Sequence, residues 1–260
     1  MKSYEKLLKL RGGGISVAFT LSEVLITLGI IGIVAALTLP ALVTNIQNRG
    51  YVEGLKKNYS AIQQVTNKII EEEGPPTAWS WTAGTSTDDS DNNYILNLYK
   101  KHLKVARACS SFIYNCPEIP ELWSKAYNNQ LVTYKALNGE INPAGVFDCI
   151  FCRSFPMQLE DGTFLGITFF STQGGQVLWG RPKMYFTIDV NGAKGPNRVG
   201  RDVFFLYMNH NDKSGKILPY VNGVISGSGG GDFSQANTCD KDKSGVSCAY
   251  RVITEGKMNY

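Results

Sequence analysis

The sequence predicts an α+β fold in which one long N-terminal helix packs on a C-terminal antiparallel sheet. Three observations predict it. An apolar run from Phe19 to Val43 passes into an amphipathic stretch that ends at Glu73, short β-rich runs take over from Phe155, and all six cysteines lie beyond the apolar run.

The apolar run is 25 residues long, and Glu23 is its only charged side chain. At a helical rise of about 1.5 Å per residue it covers roughly 37 Å, enough to cross a hydrocarbon core of about 30 Å. Lys2, Lys6, Lys9 and Arg11 precede it against Glu5 alone. The positive-inside rule keeps such a segment in the cytoplasm and sends the rest of the chain outward. A cleavable secretory signal has an apolar core of only about 7 to 15 residues and a small-residue exit, so this run is too long for one. A permanent single-pass anchor fits the length and the charge asymmetry but leaves the Glu23 carboxylate in lipid, at roughly 2.5 to 3.5 kcal/mol on insertion scales. That cost calls for a partner.

The helix is expected to continue after Val43, because Leu55, Tyr59, Ile62, Val65 and Ile69 recur at steps of three and four. Lys56, Lys57, Gln63, Gln64 and Lys68 occupy the other faces. Glu71-Glu72-Glu73 followed by Gly74-Pro75-Pro76 ends it, since proline cannot continue a helix and pushes the preceding residue toward extended geometry. The stalk from Phe19 to Glu73 is then roughly 80 Å long at helical rise. Pro40 frees the carbonyl of Ala36 and is expected to bend or locally melt the first half.

Thr77 to Asn93, polar around Trp79 and Trp81, reads as a loop. A second helix is expected after Asp91 or Asn92 as cap, with Ile95, Leu98, Tyr99, Leu103 and Ala106 on one face, and a shorter one over Pro120 to Tyr127. Phe155 to Leu159, the turn Asp161-Gly162 and Thr163 to Phe170 form an expected hairpin, and Met184 to Val190 and Asp202 to Met208 supply two more strands. A sheet of about four strands results, and its role is to bury the outward half of the long helix.

The segment Ala18-Phe19-Thr20-Leu21-Ser22-Glu23 at the head of this apolar run resembles the prepilin N-terminus shared by type IV pilins and type II secretion pseudopilins. The resemblance is specific from Phe19 to about Ile70. It implies a leader over residues 1–18, cleavage by a prepilin peptidase between Ala18 and Phe19, and methylation of the new amine. Glu23 then falls on the family's acidic fifth position of the mature chain. Gly29, Gly32 and Pro40 sit where many pilin stalks carry helix-loosening residues. Ala18 stands where the family usually has glycine, but a cut after Gly14 would place Glu23 ninth. The implied architecture is a pilin-like lollipop, with residues 19–43 as the transmembrane half of the stalk, 44–73 as its amphipathic half, and 74–260 as a periplasmic or extracellular head. The implied partners are the peptidase, other pilin or pseudopilin subunits, an inner-membrane assembly platform and the lipid bilayer. The implied location is the inner membrane, N-terminus cytoplasmic, and then a filament in the periplasm or at the cell surface. In that setting the Glu23 carboxylate pairs with the cationic amine on Phe19 of a neighbour, which makes two buried charges tolerable as a pair and penalises misregister.

Of the net charge of +4, the first 18 residues carry four basic groups and one acidic, so about +1 remains on the mature part. That is no electrostatic footprint for nucleic acid. The even count of six cysteines, Cys109, Cys116, Cys149, Cys152, Cys239 and Cys248, is the usual signature of disulfides in an oxidising compartment. Fifteen pairings exist. The local set, Cys109 with Cys116, Cys149 with Cys152 and Cys239 with Cys248, is the expectation. Cys149-Ile-Phe-Cys152 also admits a redox pair, without the βαβ context of one, or half of a zinc site, without a second close pair.

Asp189-Val190-Asn191-Gly192 leading to Gly200-Arg201-Asp202 places oxygen donors among glycines, as a hard cation such as Ca²⁺ requires, with Asp189, Asn191 and Asp202 as candidate ligands. Asp-x-Asn-Gly is equally a hairpin turn, Lys194 stands where an EF-hand needs glycine, and the bidentate glutamate is missing. His102 and His210 are the only histidines, and no Gly-x-Ser-x-Gly, His-Glu-x-x-His or phosphate-loop motif occurs. A non-enzymatic filament subunit is therefore expected. The alternative is a permanent single-pass anchored binding protein that does not polymerise.

Overall fold

The computed structural model describes residues 20–79, 90–109, 116, 118–119, 134–140, 154–170, 183–209, 212–220 and 238–260. The chain divides into two compact units, Met1–Ile46 and Gln47–Tyr260. The expected helix over Pro120 to Tyr127, the pair Cys149 and Cys152, and His210 lie outside the described residues.

Helix α1 runs from Leu21 to Glu73 as one element of 53 residues. It ends where the sequence places the end, and Gly74, at φ +83°, donates its N–H to the Ile70 carbonyl as the left-handed closing residue. The expected local melting at Pro40 does not occur. The helix passes through unbroken, and the hydroxyls of Thr38 and Thr44 each donate to a carbonyl four residues back, at 2.9 Å. Up to Ile46 the large apolar side chains are exposed, Leu21 at 77% and Leu37 at 76%. From Tyr51 the pattern inverts. Leu55, Ile62, Val65 and Ile69 are buried as the three-and-four spacing demands, Tyr59 is partly buried, and Asn58 and Thr66 join them as buried polar residues.

After a short 3₁₀ turn at Pro76–Ala78, Trp79 is buried and donates its indole N–H to the Gly74 carbonyl at 2.9 Å, so it belongs to the core rather than to a polar loop. Helix α2 spans Ser90–His102 and starts slightly before the expected caps. Ile95, Leu98, Tyr99 and Leu103 are buried as predicted. Ala106 is not on this helix. It lies in strand β1, Val105–Ala108, because the chain leaves helical geometry after His102 and pairs with the sheet. Glu72 of α1 clasps the end of α2, accepting from Lys101 Nζ at 2.8 Å and lying 3.0 Å from His102 Nε2.

The sheet has six antiparallel strands rather than four, in the order of the chain: β1, β2 (Ser154–Leu159), β3 (Phe164–Phe170), β4 (Lys183–Asp189), β5 (Val203–Asn209) and β6 (Ile217–Pro219). Alternation sorts its residues between two faces. Met157, Ile167, Phe186 and Leu206 share one core cluster with α1 and α2. Tyr99 joins the three elements: its ring meets Phe186 edge-on at 5.6 Å and its hydroxyl lies 2.7 Å from Thr66 Oγ1. Phe164, Tyr185, Phe205 and Tyr220 of the opposite face belong to a second cluster with Ile119, Tyr134 and Val199. The sheet is therefore covered on both sides. A last helix, α3 (Cys248–Glu255), ends at Gly256 with φ 68° and buries Ala249 and Val252 in the first cluster.

Candidate functional site

The first candidate site is the start of α1. Thr20 is the residue before the helix, and its N–H and hydroxyl both donate to Glu23 Oε2 at 2.8 Å, while the Glu23 N–H donates to Thr20 Oγ1 at 3.2 Å. This reciprocal arrangement is a capping box, and it satisfies donors that the first turn of a helix otherwise leaves unpaired. The Glu23 carboxylate thus has donors inside its own chain, through one oxygen. The spacing Thr-x-x-Glu carries this signal in the sequence, and Thr20 is a capping residue that charge reasoning alone passes over. Ala18 and Phe19 lie outside the described residues. The exposed apolar stretch following Glu23 belongs to a helix long and apolar enough to cross a membrane, and none of its most apolar window is buried.

The second candidate is the connection between β4 and β5. Asp189 closes β4 opposite Val203 of β5, and both Asp189 and Asp202 are buried, at 2% and 0% exposure. Asp189 Oδ2 accepts the Tyr134 hydroxyl at 3.1 Å and Oδ1 accepts the Asn191 N–H at 3.3 Å. The two oxygens of Asp202 accept the N–H groups of Asn197 at 2.8 Å and Arg198 at 2.6 Å. The fold thus brings the three predicted ligands Asp189, Asn191 and Asp202 into one loop and adds Tyr134 and Asn197. Gly192 permits the turn, since at φ 63° a Cβ there would collide with the Gly162 carbonyl and the Phe164 ring.

Burial raises the Asp189 carboxyl well above its ordinary range, and the Asp202 charge adds to this. Burial likewise raises Asp202. The Tyr134 phenol is pushed well up, first by burial and then by the Asp189 charge, so it stays a donor. The carboxamide oxygens of Asn191 and Asn197 are buried with no hydrogen-bond partner. Two buried carboxylates and two carboxamide oxygens without a hydrogen-bond partner thus belong to one connection, and they are ligand types that calcium takes. The backbone donors on Asp202 equally serve the turn.

The cysteines form the third feature. Cys109 and Cys116 are joined as a disulfide with Cα atoms 5.2 Å apart, and Cys239 and Cys248 as another at 4.7 Å, both within the usual range. The second ties the start of α3 to the loop before it, and Tyr260 after α3 donates its hydroxyl to the Gly200 carbonyl, beside the β4–β5 connection.

Comparison of the chain with family models, with curated proteins and with solved structures gives no match.

Proposed function

We propose that the chain is a filament subunit of the type IV pilin or type II secretion pseudopilin kind, made as a precursor, cut between Ala18 and Phe19, and assembled through its N-terminal helix. The observation that supports it is the division of α1: an exposed apolar stretch bearing one carboxylate near its start continues into a stretch whose stripe is buried against the sheet. Exposed apolar surface of this extent needs lipid before assembly and neighbouring helices after it. On this reading the chain sits first in the inner membrane with its basic leader in the cytoplasm and its head outside, and meets the prepilin peptidase, an assembly platform and other subunits.

The capping box favours a second reading, a permanent single-pass anchored binding protein. If Glu23 is satisfied by Thr20, a carboxylate at the membrane boundary needs no neighbour. N-terminal mass analysis of the protein from membranes separates the two. A chain starting at methylated Phe19 supports the filament subunit, one starting at Met1 supports the permanent anchor, and one starting beyond Val43 overturns both.

We further propose that the β4–β5 connection binds calcium through Asp189, Asp202 and the carboxamide oxygens of Asn191 and Asn197. Calcium titration of the full chain in detergent tests this, since a site made only in the folded state must raise thermal stability as it fills.

A further inference from the structure

Glu118 brings its carboxylate to the Cys109–Cys116 pair. One ligand atom from each of the three residues lies within 4.8 Å of the other two, and both cysteines are buried. Two of the three ligands are placed by contacts independent of the sulfur–sulfur bond. Cys109 donates its N–H to the Pro156 carbonyl at 3.0 Å as β1 ends. Arg107, held to Gln158 at 2.8 Å, donates to the Glu118 carbonyl at 3.3 Å. Cys109 and Glu118 therefore stay in place without the disulfide, and Cys116 shares the buried cluster of Cys109.

We propose that, when reduced, Cys109, Cys116 and Glu118 form a binding site for a thiophilic divalent cation such as zinc, and that disulfide formation closes it. In a tetrahedral zinc site with Zn–S of about 2.3 Å, two thiolate sulfurs stand about 3.8 Å apart. Side-chain rotation reaches that separation from Cα atoms 5.2 Å apart. Charge agrees in both states. Lys100 donates to the Cys109 carbonyl at 3.4 Å, and the Glu118 charge acts on its ammonium. In the disulfide form one carboxylate faces one ammonium. In the metal form two thiolates and a carboxylate face one divalent ion and the same ammonium, so exchanging the disulfide for the bound ion leaves the charge of the cluster unchanged. Binding releases the two thiol protons. Oxidation by a small disulfide such as oxidised glutathione then removes two electrons from the thiolates, forms the Cys109–Cys116 bond, breaks the oxidant's sulfur–sulfur bond to give two thiolates that take protons from solvent, and expels the cation. The site is thus open only before oxidation.

The test uses the full chain in detergent with Cys149→Ser and Cys152→Ser, refolded with or without a phosphine reductant and titrated with Co²⁺. The expected result is a thiolate-to-cobalt charge-transfer band in the reduced chain alone, lost in Cys116→Ser and retained in Cys239→Ser. Glu118→Gln, which leaves both cysteines in place, should weaken Co²⁺ binding at least about tenfold, the lower end of what even outer-shell partners cost. If the reduced chain needs metal to fold, Co²⁺ should restore its far-ultraviolet circular dichroism, which also supports the site. No band on reduction, a band that survives Cys116→Ser, or unchanged affinity in Glu118→Gln overturns the proposal. None of these outcomes depends on filament formation.

Discussion

Gln63 of α1 holds Ile217 of β6: its Oε1 accepts the Ile217 N–H at 2.8 Å while its Nε2 donates to the Gly215 carbonyl at 3.2 Å. A side chain placed by periodicity on a polar helix face thus serves as a clasp for the sheet edge. Tyr59 adds a second hold, its hydroxyl donating to the Ile217 carbonyl at 3.1 Å.

Gln63→Leu should release that edge. It strands a partly buried N–H and C=O, at a cost of about 1 to 3 kcal/mol. Hydrogen exchange should quicken at Ile217 and leave β3 and β4 protected. Uniform loss of protection across the sheet would show that the clasp holds more than the edge.

Glu23→Ala removes the one charge from the apolar stretch of α1 and opens the capping box. Insertion should be unchanged or improved, while the helix start loses the acceptor of its capping box. For a filament subunit, cross-linking into filaments should drop sharply at equal expression, and Thr20→Val, which keeps the charge, should be milder. Equal effects of the two substitutions, with assembly intact, would favour the anchored reading.

Alkylation of the oxidised chain under denaturing, non-reducing conditions should leave Cys109, Cys116, Cys239 and Cys248 unlabelled. Removing the Cys239–Cys248 bridge by paired serine substitution should cost about 2.5 kcal/mol by loop-closure entropy, read from denaturant midpoints. Label on either described pair in the untreated protein would contradict the bridges.

The carboxyl of Asp189 is raised by burial and by Asp202, so folding takes up protons at this pair. A carboxyl raised in the folded state contributes stability that is complete below its unfolded pKa and is lost as pH rises through the folded value. In cation-free buffer this contribution should therefore decline from acidic toward neutral pH. Calcium at a hundredfold excess over its dissociation constant should then restore about 2.7 kcal/mol at neutral pH. Asp189→Asn should flatten the pH profile and erase the calcium response. An unchanged profile would mean that the pair does not govern stability.

Local signals made much of this fold readable. The end of α1 follows from Gly74-Pro75-Pro76, and the four long strands follow from their β-rich runs and the Asp161-Gly162 turn. Strands β1 and β6 escaped because Val105–Ala108 and Ile217–Pro219 are too short to show a period, and they exist through pairing with β2 and β5 and, for β6, the hold of Gln63. Ala106 fell on a helical face by spacing alone, whereas strand pairing decided it. In the β4–β5 connection the acidic residues were visible, but Tyr134 arrives from 55 residues away and no local pattern announces it. The capping partner of Glu23 was legible as Thr-x-x-Glu and needed only to be weighed against the charge.

The strand order that copies the chain order bears on how the sheet forms as the polypeptide emerges during synthesis. Strands β2 to β6 are joined by connections of 4, 12, 13 and 7 residues, so each newly emerged strand meets a neighbour that emerged just before it. Closing such short segments costs little entropy, so none of β3 to β6 waits for a distant mate. Only β1 must be matched across the long stretch to β2. A chain lacking only β6 would therefore keep β2 to β5 zipped and lose a single rim, whereas one lacking β2 would strand β1 without a mate and expose an inner strand to aggregation.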